Sequence, residues 1–199
     1  MEVAILTFEG FNELDSFIAS SLLNKMKHAG WNVQITCPSD TVTSMNGLTI
    51  QAQQPLEYAN EADIVLFGSG IYTRDIAKDA SILKRLNLNS TKQQIGAQCS
   101  GTLLMAKLGI LSDLPACTDL TTKPWVIDAG VKILPQSFFA KGNIATAGGC
   151  MSSQYLATWL ILKNAGLEET EAALGYVAPV GEREEYISQC VSTVSPYIT

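Results

Sequence analysis

The stretch QQIGAQCSGTLLMAKLGIL, residues 93–111, sets Cys99 between a short apolar run and a run of helical character, with Ala97 and Gly101 two positions to either side. A nucleophile held in a tight strand-to-helix turn is forced into a strained backbone region and points outward, and bulky neighbours would clash there. Ala97-Gln98-Cys99-Ser100-Gly101 fits such an elbow, with alanine in the place of the first glycine. At the start of the following helix, unpaired backbone donors and the helix dipole favour the thiolate, the reactive form of cysteine. A second reading stays open: a buried structural cysteine followed by Ser100 as a helix N-cap.

The other cysteines are Cys37, Cys117, Cys150 and Cys190, which makes an odd total without a CxxC spacing, beside a single histidine, His28. This argues against a disulfide framework and against a zinc site, so neither metal nor cofactor is expected and a reducing, cytoplasmic setting is the default. Cys117 stands two residues before Asp119, and strand alternation would put both on one face. There Cys117 would either resolve an oxidised Cys99 or serve as sheet core. Cys150 opens a helix after TAGG, while Cys37 and Cys190 read as structural. His28, at the end of the first helix, reads as solvent-facing.

The elements that must position these groups follow from hydrophobic periodicity. EVAILTF, WNVQITCP, EADIVLF and QQIGAQ are β-branched or apolar runs suited to buried parallel strands. Between them lie an amphipathic helix closing at Gly30, a hairpin around Asn46 and Gly47, and a helical stretch YTRDIAKDASILKRLNLN. LPACTDL, PWVIDAGVKIL and GNIATAGG are expected as three short strands, followed by helices over CMSSQYLATWLILKNAG and LEETEAALGYVAP. Strands alternating with helices, with no linker or repeat, predict one α/β domain over residues 1–199 built on a mainly parallel sheet. Ligands of such sheets sit beyond the carboxyl ends of the strands. Three turns fall there: residues 9–15, 68–72 and 98–101.

Net charge is −6, from 13 basic and 19 acidic residues with the basic ones scattered, which disfavours nucleic acid as a partner. The apolar run at the N-terminus is too short for a signal h-region, and no segment has the length of a membrane span, so no membrane association is expected. Phe11, Ile71, Tyr72 and Met151 are the candidate lining of a pocket for a small, partly apolar molecule.

FEGFNELD, LFGSGIYTRDIAKD, GAQCSGTLLMAKLGIL and GNIATAGG, in that order over nearly the whole chain, resemble the ThiJ/PfpI superfamily, which is class I glutamine amidotransferase-like. The GF-x-x-LD and TRD turns are most similar to its isocyanide hydratase branch. The resemblance implies a flavodoxin-like three-layer sandwich, a homodimer, Cys99 as nucleophile and Asp15 as the acid touching its sulfur. It also implies backbone donors at Gly68, Ser69 and Gly70, and Ser100 as a hydroxyl that positions water or substrate. Where many members carry a histidine, in a run resembling A-T-T-H, this chain has ACTDL and hence Asp119. Asp119 either faces Cys99, opposing thiolate formation, or turns away as a loop residue bonded to backbone or to Lys123. Without an imidazole, amide hydrolysis is disfavoured and glyoxalase chemistry weakened. The expected activity is a hydratase or hydrolase acting on a small electrophile. The alternatives are a redox sensor using oxidation of Cys99 and a degenerate ligand-binding or regulatory domain.

Overall fold

A computed structural model describes residues 1–198. Nine strands alternate with eight α-helices among the described residues: β1 Glu2–Leu6, α1 Glu13–Leu23, β2 Asn32–Cys37, β3 Thr41–Thr43, β4 Thr49–Gln51, β5 Gln54–Pro55, β6 Ile64–Phe67, α2 Thr73–Ile76, α3 Ala80–Leu83, β7 Gln94–Gln98, α4 Gly101–Lys107, α5 Lys123–Asp128, β8 Phe138–Lys141, β9 Ile144–Ala147, α6 Ser153–Ala165, α7 Leu167–Val177 and α8 Arg183–Val194. Seven of the strands form one sheet in the order β5-β2-β1-β6-β7-β9-β8, parallel throughout except for β8 against β9. β3 and β4 pair apart from it as the expected hairpin over Asn46 and Gly47.

The central strands are buried on both faces, and their alternation divides the interior in two. Val3, Ile5, Ile64 and Leu66 pack into one core with residues of α1, α6, α7 and α8. Ala4, Leu6, Val65 and Phe67 pack into the other with Ile76, Leu103, Leu104, Met105 and Val126. Each fully buried Leu, Ile or Phe contributes roughly 2 kcal/mol of transfer free energy, so neither helical layer can be lost without unfolding the sheet. The result is a flavodoxin-like three-layer α/β sandwich. No helix among the described residues is long and apolar enough to cross a membrane.

Three local expectations give way. PWVIDA is not a strand but α5: Pro124 sits in its first turn, where a missing N–H costs nothing, and Val126 alone is fully buried while Ile127 is half exposed. LPACTDL keeps only a single bridge, Ala116 to Ile133, and the antiparallel edge strand is instead Phe138–Lys141. The helical stretch after residue 72 breaks into α2 and α3, because the Asp79 carboxylate accepts from the N–H groups of Ser81 and Ile82 and starts a new helix.

Candidate active site

All three turns at the carboxyl ends of β1, β6 and β7 converge, since those strands are neighbours in the sheet. The third is the elbow. Cys99 has φ 46°, one of two positive values at non-glycine residues among those described. Its N–H donates to Ala147 O (2.8 Å) and its C=O accepts from Thr118 Oγ1 (2.8 Å), so both sides of the strained residue are pinned. A side chain at Gly101 would put its Cβ 2.6 Å from Phe67 O and 2.7 Å from Gly68 O, which explains the small residue after the turn. At Gly70 a Cβ would lie 2.5 Å from Gly10 O, so the first and second turns also meet through backbone.

Asp15 projects from the first turn of α1 into this junction and is fully buried. Its Oδ2 accepts from Ser69 Oγ and its Oδ1 from Ser153 Oγ (3.1 Å), and its carboxylate stands beside the Cys99 sulfur. The carboxylate and the sulfurs of Cys99 and Cys150 all lie within 4.8 Å of one another. The Cys99 thiol is directed at Cys150 Sγ, 4.0 Å away, and Asn12 Nδ2 donates to that same sulfur at 3.2 Å.

Burial and neighbouring charge oppose the expected thiolate. Burial first, and then the Asp15 charge, push the Cys99 thiol well above its ordinary value. Burial also raises Asp15, against the lowering effect of its bonds to Ser69, Cys99 and Ser153. Two acids this close share one proton, and the second charge is resisted by both. Ser69 Oγ donates to the carboxylate and favours its charge, in competition with burial. Ser153 has one hydrogen but three acceptors within reach, Asp15 Oδ1, Gln98 Oε1 and Cys150 O. A proton arriving on Asp15 Oδ1 would relieve that surplus.

Ser100 lies beside the sulfur, and its orientation follows from hydrogen counting. Thr73 gives its own hydrogen to Gly70 O (2.8 Å), so Ser100 donates to Thr73 (2.8 Å) and accepts from Gly70 N–H (3.2 Å). The FGSG turn is therefore only partly available as a set of anion donors. Gly68 N–H is committed to Leu6 O (2.9 Å), Gly70 N–H is on Ser100, and Ser69 acts through its hydroxyl on Asp15.

Asp119 faces the same space and is also tied to backbone. Its Oδ1 accepts from Thr122 N–H (2.9 Å) and its Oδ2 is buried without a partner. The contact with Lys123 runs from that residue's N–H to Asp119 O (3.0 Å). The Asp119 charge adds a further, smaller push on the Cys99 thiol. Cys117 does not reach the site: it is fully buried, its thiol pushed up to about 12 by burial, and Cys150 is the sulfur beside Cys99. His28 is exposed against Glu169 (3.1 Å), away from these groups.

A cavity of about 450 Å³ opens over Cys99, lined by Asn12, Gly70, Ile71, Asp119, Trp125 and Cys150 among others. Arg74 stacks on the Trp125 ring at 4.0 Å and fixes that wall. Of the four apolar residues expected to line it, only Ile71 does. Phe11 is core, edge-on to Phe17 (5.8 Å), and Tyr72 and Met151 are exposed outside the cavity. The sequence reading missed Thr73, Ser153, Trp125 and the position of Cys150. Thr73 and Arg74 belong to the TRD turn, which was the available signal for that wall.

The family model described as the DJ-1/PfpI family matches residues 1–164. The chain belongs to the DJ-1/PfpI family. Among solved structures, a ThiJ/PfpI family protein from Pseudomonas syringae superposes with a TM-score of 0.80 at 18% identity, covering 99% of this chain and 88% of that one. Schizosaccharomyces pombe DJ-1 gives 0.74 at 15% identity, covering 90% and 100%. Toxoplasma gondii DJ-1, in an oxidized form, gives 0.71 at 16%, covering 88% and 97%. At these identities they share the fold of this DJ-1/PfpI member. Comparison with curated proteins finds no significant sequence match.

Proposed function

We propose that this DJ-1/PfpI protein is a cysteine-dependent hydratase or hydrolase of a small electrophile, of the isocyanide hydratase type. The observation that carries this reading is the buried Asp15 carboxylate beside the Cys99 sulfur, where no imidazole is at hand. Such a pair suits a reaction in which sulfur attacks as its proton leaves for Asp15, so that no free thiolate need accumulate. Cys99 Sγ bonds the terminal carbon of R–N≡C, Asp15 takes the thiol proton and delivers it to that carbon, and an S-bound thioimidate results. Water then adds to the same carbon, giving one proton to the nitrogen and leaving its oxygen on the carbon. The C–S bond breaks, the thiol proton returns through Asp15, and R–NH–CHO is released. In this reading Ser100, which is hydrogen-bonded to Thr73 and Gly70, orients that water.

The test is incubation with an alkyl isocyanide and detection of the N-formyl product by mass spectrometry, with small aldehydes as a second substrate class. Turnover is expected to vanish in Cys99→Ala and to fall about 10²–10⁴-fold in Asp15→Asn. Absence of turnover of either class by the unmodified protein would sink the reading.

A second reading is favoured by the sulfur of Cys150 beside Cys99 and by the oxidized state of the Toxoplasma gondii relative. In it Cys99 is a site of oxidation and turns over no substrate.

A further inference from the structure

Cys99 and Cys150 hang from the carboxyl ends of neighbouring strands, with Gln98 of β7 in register with Ala147 of β9. The Cys99 N–H bond to Ala147 O holds the two turns together. Cys150 begins a single 3-10 turn, Cys150–Ser152, and follows Gly148 and Gly149, the latter at φ 93°. Cys150 is half-buried, shares the cavity with Cys99 and accepts a hydrogen bond from Asn12 Nδ2, which opposes the upward push of burial and of the Asp15 charge on its thiol. An S–S bond is about 2.05 Å long, so roughly 2 Å of the present 4.0 Å separation must close. Side-chain rotation together with a small shift of the glycine-led turn can supply that.

We propose that Cys150 is the resolving thiol of Cys99, and that a hydroperoxide converts the pair to a reversible Cys99–Cys150 disulfide. In the first step Cys99 sulfur attacks the outer peroxide oxygen, the O–O bond breaks, and Cys99 becomes a sulfenic acid as the peroxide leaves as an alcohol or water. In the second step Cys150 sulfur attacks that of Cys99, the S–OH bond breaks, and the departing hydroxide leaves as water with the Cys150 thiol proton, relayed through Asp15. Two electrons pass from the two sulfurs to the peroxide, and a dithiol reductant restores them. The disulfide would cap the nucleophile and stop its oxidation short of the sulfinic acid. The inference rests on the second reading above, in which Cys99 is oxidised, and adds to it the partner that ends the oxidation; it needs no turned-over substrate and no accumulated cysteine acid.

The experiment is treatment of the full chain with a slight excess of hydrogen peroxide, then alkylation under denaturing conditions and peptide mass spectrometry. Loss of two of the five free thiols is expected. The chain should lighten by about 2 Da, with a cross-linked peptide pair carrying Cys99 and Cys150, all reversed by dithiothreitol. Cys150→Ala should instead gain about 32 Da on Cys99, as the sulfinic acid. A wild-type chain that gains that mass on Cys99 while Cys150 remains alkylatable overturns the proposal, as does a disulfide from Cys99 to Cys117. Mapping in the unsubstituted chain decides this even if the variant fails to fold, and it is independent of any isocyanide assay.

Discussion

A carboxylate and a thiol that share one proton in a buried turn make Asp15 costly to the fold and useful to the site. Its folded pKa is raised, chiefly by burial. The folded chain therefore holds this proton more tightly than the unfolded one does, and stability is lost as pH rises from the unfolded carboxyl range through the folded value. Asp15→Asn keeps an acceptor for Ser69 and removes the charge. We expect it to be more stable than the parent by about 1 kcal/mol at pH 7, with the advantage fading toward pH 4. Urea unfolding at a series of pH values reads this directly, and a variant less stable at pH 7 would contradict it. At this scale the sequence reading was uneven. Cys99 announced itself through its small neighbours. Asp15 did not, because α1 buries Asp15, Ser16 and Ala19 while Leu14 is half exposed, against any apolar stripe; only the family resemblance singled it out. Helix-terminus reasoning counts local dipoles and leaves out burial and a carboxylate from over 80 residues earlier, both of which push the Cys99 thiol the other way.

At the level of elements, the elbow depends on close backbone approach more than on the dipole of the short α4. A methyl group at Gly101 meets the carbonyls of Phe67 and Gly68, and neither can move without disturbing β6. Gly101→Ala should cost about 2 kcal/mol or more and lower Cys99 activity more than stability alone explains. Thermal melts and thiol reactivity of the folded fraction check this, and an unperturbed variant would contradict the packing argument. β1 and β6 were legible as near-continuous apolar runs, and β2 and β7 as shorter apolar stretches bounded by turn residues. The segment between α4 and β9 was not. Trp125-Val126-Ile127 has strand composition, but Pro124 starts a helix there. Phe138–Lys141, an edge strand half open to solvent, has too little pattern to stand out.

For the molecule as a whole, function follows from strand order. β1, β6, β7 and β9 are consecutive in the sheet, so turns that are distant in sequence deliver Asp15, Ser69, Cys99 and Cys150 to one point. Alternation of strands and helices foretells a layered parallel sheet but not which strands are neighbours. That is why Cys117, close to Asp119 in sequence, was weighed as a partner for Cys99, while Cys150 is the residue that sits there. With β9 known to lie beside β7, the cysteine three residues past its end would have been the natural choice. The same convergence makes a single proton, shared by Asp15 and Cys99, the centre of the account. The most direct measurement is the pH dependence of Cys99 alkylation by iodoacetamide, followed by mass spectrometry, in the parent chain and in Asp15→Asn. The account predicts slow alkylation at neutral pH with an apparent pKa above the free-thiol value of about 8.5, and a clear downward shift once the carboxylate charge is removed. A thiolate already formed well below that pH, and lost rather than gained in Asp15→Asn, would contradict it.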